Sequence, residues 1–244
     1  MARRRIALAL TISLAAAVPA AACVSDMGFD VPGLRADTPL VLAAPDGRRF
    51  RLVALSGESV VTPDGPTRVV SLGVTDRHGR IPAQAFGAAG PIELPLLREG
   101  RVRLTPTRLV PRDCWRLFER AETEAIRARR GLWAGDGAPI GATDGDALAR
   151  SEGRFAIVEG RVRSARTQGR ITYINFGPPN SGALTVTISD RDMAAFRENG
   201  LEPAAIRGHM LRVRGIVTTR RGPSIAAAIP EAITIAEPPS GGAR

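Results

Sequence analysis

Tyr173 and Phe176, with Arg220 and Arg221 farther along, are side chains whose chemistry could hold a polymer. An aromatic ring stacks on a base and flanking arginines pair with phosphates, a combination suited to single-stranded nucleic acid. Residues three apart in a strand face opposite sides, so at most one of the two rings can stack and the other belongs in the core. Arg220 and Arg221 fall in the loop-like run Thr219-Arg220-Arg221-Gly222-Pro223, where a merely solvated hairpin is the plainer reading. Asp144-Gly145-Asp146 looks like a metal motif but sits in a glycine-rich stretch outside any strand framework. Capping of a short helix by Asp146 is its simpler use. His78 and His209, with two cysteines, are too few for a zinc site.

The elements that must carry these residues read as two units. In the second, residues 153–237, Phe155 to Val162 and Arg170 to Phe176 alternate and are split by a Gln168-Gly169 turn, predicting a hairpin. Leu184 to Ile188 predicts a third strand, and Asp190 to Asn199 a helix with Asp190 as N-cap and Gly200 beyond its end. Leu211 to Val217 and Ser224 to Ala228 complete five strands, with the helix between the third and fourth. That is the order of an OB-like barrel. In residues 24–134, after an N-terminal arm, Pro39 to Ala43, Phe50 to Leu55 and Val69 to Val74 read as strands. Ile81 to Phe86 is another, which Pro82 makes an edge or irregular one. A short helix spans Pro91 to Glu99. Residues 135–152, rich in glycine, read as a linker, and 238–244 as a tail.

Residues 1–22 read as a signal peptide: Arg3, Arg4 and Arg5, then an apolar run from Ile6 to Val18 too short to span a bilayer, then Ala20-Ala21-Ala22. Cys23 follows directly. The chain is therefore expected to be exported, either held at the membrane by a lipid on Cys23 or released in soluble form to the periplasm or beyond. The mature chain has no run long enough for a transmembrane helix. Its only other cysteine is Cys114, either a buried apolar residue or a disulfide partner. The formal charge is +10, three of it from the leader, and every basic residue is arginine. Excess positive charge favours phosphate-bearing partners, although a chain rich in Arg, Ala, Gly and Pro and devoid of Lys also fits a GC-biased genome.

The stretch from Cys114 to Ala134 predicts an amphipathic helix. Leu117, Phe118, Ala121, Ala125 and Ile126 share one face, and Gly131 is expected to end it before Leu132-Trp133 folds back. The order Cys, Glu, Ala-x-Arg, Gly-Leu-Trp-Ala resembles the last helix of the staphylococcal nuclease-like (thermonuclease) family. The resemblance extends over roughly residues 37–134. It implies a mainly β chain with a few helices: a nuclease-like OB-fold barrel followed by the OB-like barrel. The second unit also resembles a domain that follows nuclease-like domains in some bacterial envelope proteins, through Val158-Glu159-Gly160-Arg161-Val162, Tyr173-Ile174-Asn175-Phe176-Gly177 and Arg212-Val213-Arg214-Gly215.

In that family two aspartates hold calcium beside the scissile phosphate, a glutamate positions water, and two arginines clamp the phosphate. Carried over residue by residue, Asp37 is the metal carboxylate, Arg51 and Arg80 are the phosphate arginines, and Glu58 stands one residue short of the glutamate's position. The turn Asp76-Arg77-His78-Gly79-Arg80 matches the family's, with histidine for tyrosine. The departures cut into the metal site. Arg35 replaces the first opening aspartate, Ser56 replaces the second metal aspartate, and only 28 residues separate Arg51 from Arg80, too few for the family's intervening helix and strand. The expectation is a protein whose phosphodiesterase activity is weakened or lost, binding calcium weakly if at all, with no other cofactor. It would act as a module for single-stranded nucleic acid, another polyanion or an envelope partner. The rival expectation is an active calcium-dependent phosphodiesterase.

Overall fold

The computed structural model describes Cys23 and residues 28–236; the leader and the tail lie outside them. The first unit contains β1 (Phe29–Val31), β2 (Arg35–Thr38), β3 (Val41–Ala43), β4 (Arg49–Leu52), β5 (Leu55–Ser56), β6 (Thr67–Ser71), β7 (Arg80–Gly87) and β8 (Gly90–Pro91). The helix α1 (Glu93–Arg98), the strand β9 (Arg103–Leu104) and the helix α2 (Arg112–Arg127) follow. Its main sheet runs β1-β6-β7-β4-β3-β2, with β8 added to β7, while β5 and β9 pair separately. The two edge strands, β1 and β2, are consecutive in the chain. The arm expected before residue 37 thus contains two strands. No helix lies between β4 and β7, as the short spacing there predicted.

Pro82 is not on an edge strand. It lies in β7, the middle of the sheet, opposite Arg51 of β4. The ladder of β7 with β6 begins only at Ala83, so on that side Pro82 has no strand partner and its missing N–H costs no ladder bond.

The second unit starts earlier than the composition suggests. Residues 135–152 are not a loose linker: β10 (Ile140–Gly141) pairs parallel with β11 (Phe155–Arg161), and α3 (Gly145–Arg150) follows β10. Ala142 and Leu148 lie in the second core. The cap of α3 is Asp144, whose Oδ1 accepts from Ala147 N at 3.0 Å, rather than Asp146. Downstream lie β12 (Ser164–Gln168), β13 (Ile171–Asn175), β14 (Thr185–Ser189), α4 (Asp190–Glu198), β15 (Met210–Ile216), β16 (Ser224–Ala226) and β17 (Ile233–Ile235). The expected hairpin is β12–β13, turning at Gly169 (φ 58), whereas β11 pairs with β15. The N-cap of α4 is Ser189, and Asp190 is already helical. These strands form two four-stranded sheets, β10-β11-β15-β17 and β12-β13-β14-β16. The molecule is mainly β with four α-helices among the described residues, and none of the hydrogen-bonded sheets closes on itself.

One helix serves both units. The face of α2 that carries Cys114, Trp115, Leu117, Phe118 and Ala121 fills the first core. Cys114 is disulfide-bonded to Cys23, Cα to Cα 4.6 Å. A thioether-linked lipid would need the same Cys23 sulfur, so the two exclude each other. Ala125 packs with Trp133 and Ile157 in a small cluster between the units. Beside it Glu122 and Arg214, both fully buried, form an ion pair. Glu122 also accepts from Leu104 N at 2.7 Å, and Arg214 donates to Thr234 at 2.8 Å. Arg212 reaches Thr123 at 2.7 Å and Glu159 at 2.6 Å.

The end of α2 departs from expectation. The helix stops at Arg127, and Arg129 takes the first positive φ, of 50°. Gly131 (φ 52) opens a short 3-10 turn that buries Trp133 but leaves Leu132 38% exposed. Gly131 lies against Gly100 (φ 67), with Leu132 N donating to Gly100 O at 2.8 Å. A Cβ on either glycine would collide with the other segment's backbone carbonyl.

Candidate nucleic-acid and polyanion interface

Strand alternation sets out the first group of candidates. Phe50 and Leu52 of β4 are fully buried, so Arg49 and Arg51 project from the other face. Arg80 opens β7 directly opposite Arg49. The turn from Asp76 to Arg80 is built on one carboxylate. Asp76 Oδ1 accepts from His78 N at 2.9 Å and Arg80 N at 3.0 Å, while Oδ2 accepts from Arg80 Nε at 3.0 Å. Gly79 supplies the positive φ of 73°. Arg51 Nε lies 3.9 Å from the same Oδ2. The Arg80 side chain, with the two backbone N–H groups, holds the Asp76 carboxyl well below the usual carboxylate range. The two expected phosphate arginines therefore do meet, but on an internal aspartate.

Asp37 sits at a bulge in β2 and pairs with Arg49, at 2.6 and 2.7 Å, instead of meeting Arg51. Ser56 is on β5 opposite Arg103 of β9, and Glu58 is exposed just beyond it. Among the described residues no three His, Cys, Asp or Glu side chains come together. Calcium takes six to eight oxygen ligands. The carboxylates of Asp37 and Asp76 each already hold a guanidinium, so the residues present do not fit that ion.

The second group is organised differently. A groove of about 720 Å³ lies over the outer face of β12, β13 and β14, walled by the loop from Gly177 to Ala183 and by the turn from Arg221 to Pro223. Tyr173 lines it, whereas Phe176 is buried in the core, the division that strand alternation requires. Of the two loop arginines, Arg221 lines the groove and Arg220 does not. Arg163 and Arg166 line it as well, and among the described residues no Asp or Glu does.

Across the floor runs a ladder of polar residues in register: Ser164, Asn175, Thr185 and Ser224 on four adjacent strands. Asn175 donates to Ser164 Oγ at 3.2 Å and accepts from Thr185 Oγ1 at 3.2 Å. The next row carries Arg166 opposite Tyr173, with Thr187 beyond. Arg166 is hidden from the sequence because β12 does not read as a strand, and Asn175, in a strand that does, is picked out only by its register with Ser164 and Thr185. The alternation Ser164-x-Arg166 against Tyr173-x-Asn175 was the signal that could have found them.

No protein-family model matches the chain, and no curated protein matches it. No helix among the described residues is long and apolar enough to cross a membrane.

Proposed function

We propose that this chain is an exported, non-catalytic binding module for single-stranded nucleic acid or another polyanion, and that its first unit is a nuclease-like fold that has lost its metal site. The observation that carries the reading is the groove beside Tyr173, with three arginines on its lining and, among the described residues, no carboxylate to offset them. Such a site draws anions by long-range attraction and holds them by charge-assisted hydrogen bonds. The loss of catalysis is supported by the pairing of Asp37 with Arg49 and of Asp76 with Arg80 and Arg51.

A barrel origin for both units is part of the proposal. In the first, the strands at the two sheet edges adjoin in the chain. In the second, β11 runs on into β12 and β14 pairs parallel with β16, as an OB-type connection requires.

The test is an assay of the mature protein on single-stranded DNA, with calcium and with chelator. The expected result is salt-sensitive binding without calcium-stimulated cleavage. Robust calcium-dependent cleavage, abolished by Asp37→Ala, would instead establish the rival reading, a calcium-dependent phosphodiesterase. Export is tested by the intact mass of protein recovered from its bacterial host. The expected species lacks residues 1–22 and is two hydrogens lighter than the dithiol, with no lipid adduct. A diacylglycerol adduct on Cys23 would show membrane anchoring and no disulfide.

A further inference from the structure

Within that polyanion reading, we infer that the groove takes an extended anionic polysaccharide, with Tyr173 under a sugar ring, the polar ladder beneath the sugar hydroxyls, and Arg163, Arg166 and Arg221 on the carboxylates.

The composition of the groove separates a glycan from a nucleic acid. A single-stranded nucleic acid is held by successive bases stacking on successive aromatics. This groove has one aromatic side chain, Tyr173, which is also the only tyrosine of the chain. One ring suits the apolar C–H face of one sugar. The floor then supplies what a sugar needs and a base stack does not. Ser164, Asn175, Thr185 and Ser224 present hydroxyl or amide groups across four adjacent strands. Adjacent strands lie about 4.8 Å apart. That step is close to the repeat of one pyranose ring, and shorter than the phosphate-to-phosphate step of an extended nucleic-acid strand.

The ladder is also pre-ordered. The Asn175 amide is fixed between Ser164 and Thr185, and Ser224 Oγ is bonded to Thr218 Oγ1 at 2.9 Å. Amide and hydroxyl groups held by one another keep spare donors and acceptors for a ligand, and lose little freedom on binding it. The three arginines decide the sign of the sugar. A guanidinium matches a carboxylate in a two-point geometry, and among the described residues no acid on the lining competes for it. A neutral glycan would leave those charges unmatched.

The experiment is calorimetric titration of the mature protein with three probes: an oligogalacturonate, a neutral oligosaccharide of similar length, and oligo(dT). The expected outcome is binding of the oligogalacturonate, weakened at least about tenfold by Arg221→Ala and by Tyr173→Ala, with the neutral sugar much weaker. Unchanged far-ultraviolet circular dichroism of both variants verifies their folding. Asn175→Ala, which removes the middle of the ladder, is expected to weaken the oligogalacturonate several-fold, its folding checked in the same way. Binding of oligo(dT) through Tyr173 and Arg221 without binding of the oligogalacturonate would overturn the glycan assignment and leave the polyanion reading standing. Binding of neither would overturn both. Oligogalacturonate binding indifferent to all three variants would overturn the assignment to this groove.

Discussion

The two arginine-bearing faces of this protein use one residue type to opposite ends. On the first, Arg49, Arg51 and Arg80 stand side by side on β4 and β7, and each has Asp37 or Asp76 in reach. On the second, Arg163, Arg166 and Arg221 line a groove on whose walls no acid stands among the described residues. A count of arginines would rank the faces equal. The placement of carboxylates does not: on the first face the positive charge is already answered from within, and on the second it is left for a ligand.

The largest expected effect would separate the faces altogether. Glu122 and Arg214 form a fully buried pair at the junction between the units. Removing one partner strands the other charge out of water, at a cost of about 3–5 kcal/mol. Glu122→Ala is therefore expected to lower the denaturation free energy by that amount and to split a single transition into two. A loss below about 1 kcal/mol with one transition retained would show that this ion pair is not what joins the two units.

A smaller effect uses pH to tell the units apart. Glu93 of α1 is wholly buried in the first, and burial raises its carboxyl to about 8 from an ordinary 4.5. The folded state thus keeps a proton that the unfolded chain releases. Its contribution to stability is fully present below about pH 4.5 and is lost as pH rises toward 8. Asp76 acts in the other sense: its carboxyl is lowered, so its contribution is present above its ordinary value and fades as pH falls. Glu93→Gln is expected to flatten the decline between pH 5 and 8 and to stabilise the first unit at pH 8 by on the order of a few kcal/mol. An unchanged slope in urea titrations across that range would refute it.

The smallest effect bears on the comparison most directly. Asp37→Asn together with Asp76→Asn would free the arginines of the first face, while the new amide oxygen at position 76 could still accept the turn's two N–H bonds. The double variant is expected to bind oligo(dT) or an oligouronate several-fold more tightly at low salt. The slope of log affinity against log salt should steepen by roughly one unit or more. No gain would mean that the carboxylates are not what silences this face.

Much of this was legible in the chain. The alternation of β4 and β7, the Asp76 turn and the amphipathic α2 were readable because each rests on local spacing. That Tyr173 and Phe176 lie on opposite faces was readable for the same reason, although alternation alone did not say which of them is buried. What escaped depended on contacts distant in sequence. Arg49 takes Asp37 because the bulge in β2 shifts the register, which no local pattern records. β12 was overlooked because Ser164-Ala165-Arg166-Thr167-Gln168 lacks the large apolar residues that mark a strand; its pairing with β13 and the groove above it set its character. Residues 135–152 read as a linker because glycine dominates them, yet two short elements there take their order from the second core.

The contact of Gly100 with Gly131 has an evolutionary consequence. Neither position can acquire a side chain while the other backbone stays in place, so no compensating change at the partner can rescue a substitution. Gly100 and Gly131 are therefore fixed together by how the chain leaves the ends of α1 and α2, independently of any reaction the protein carries out.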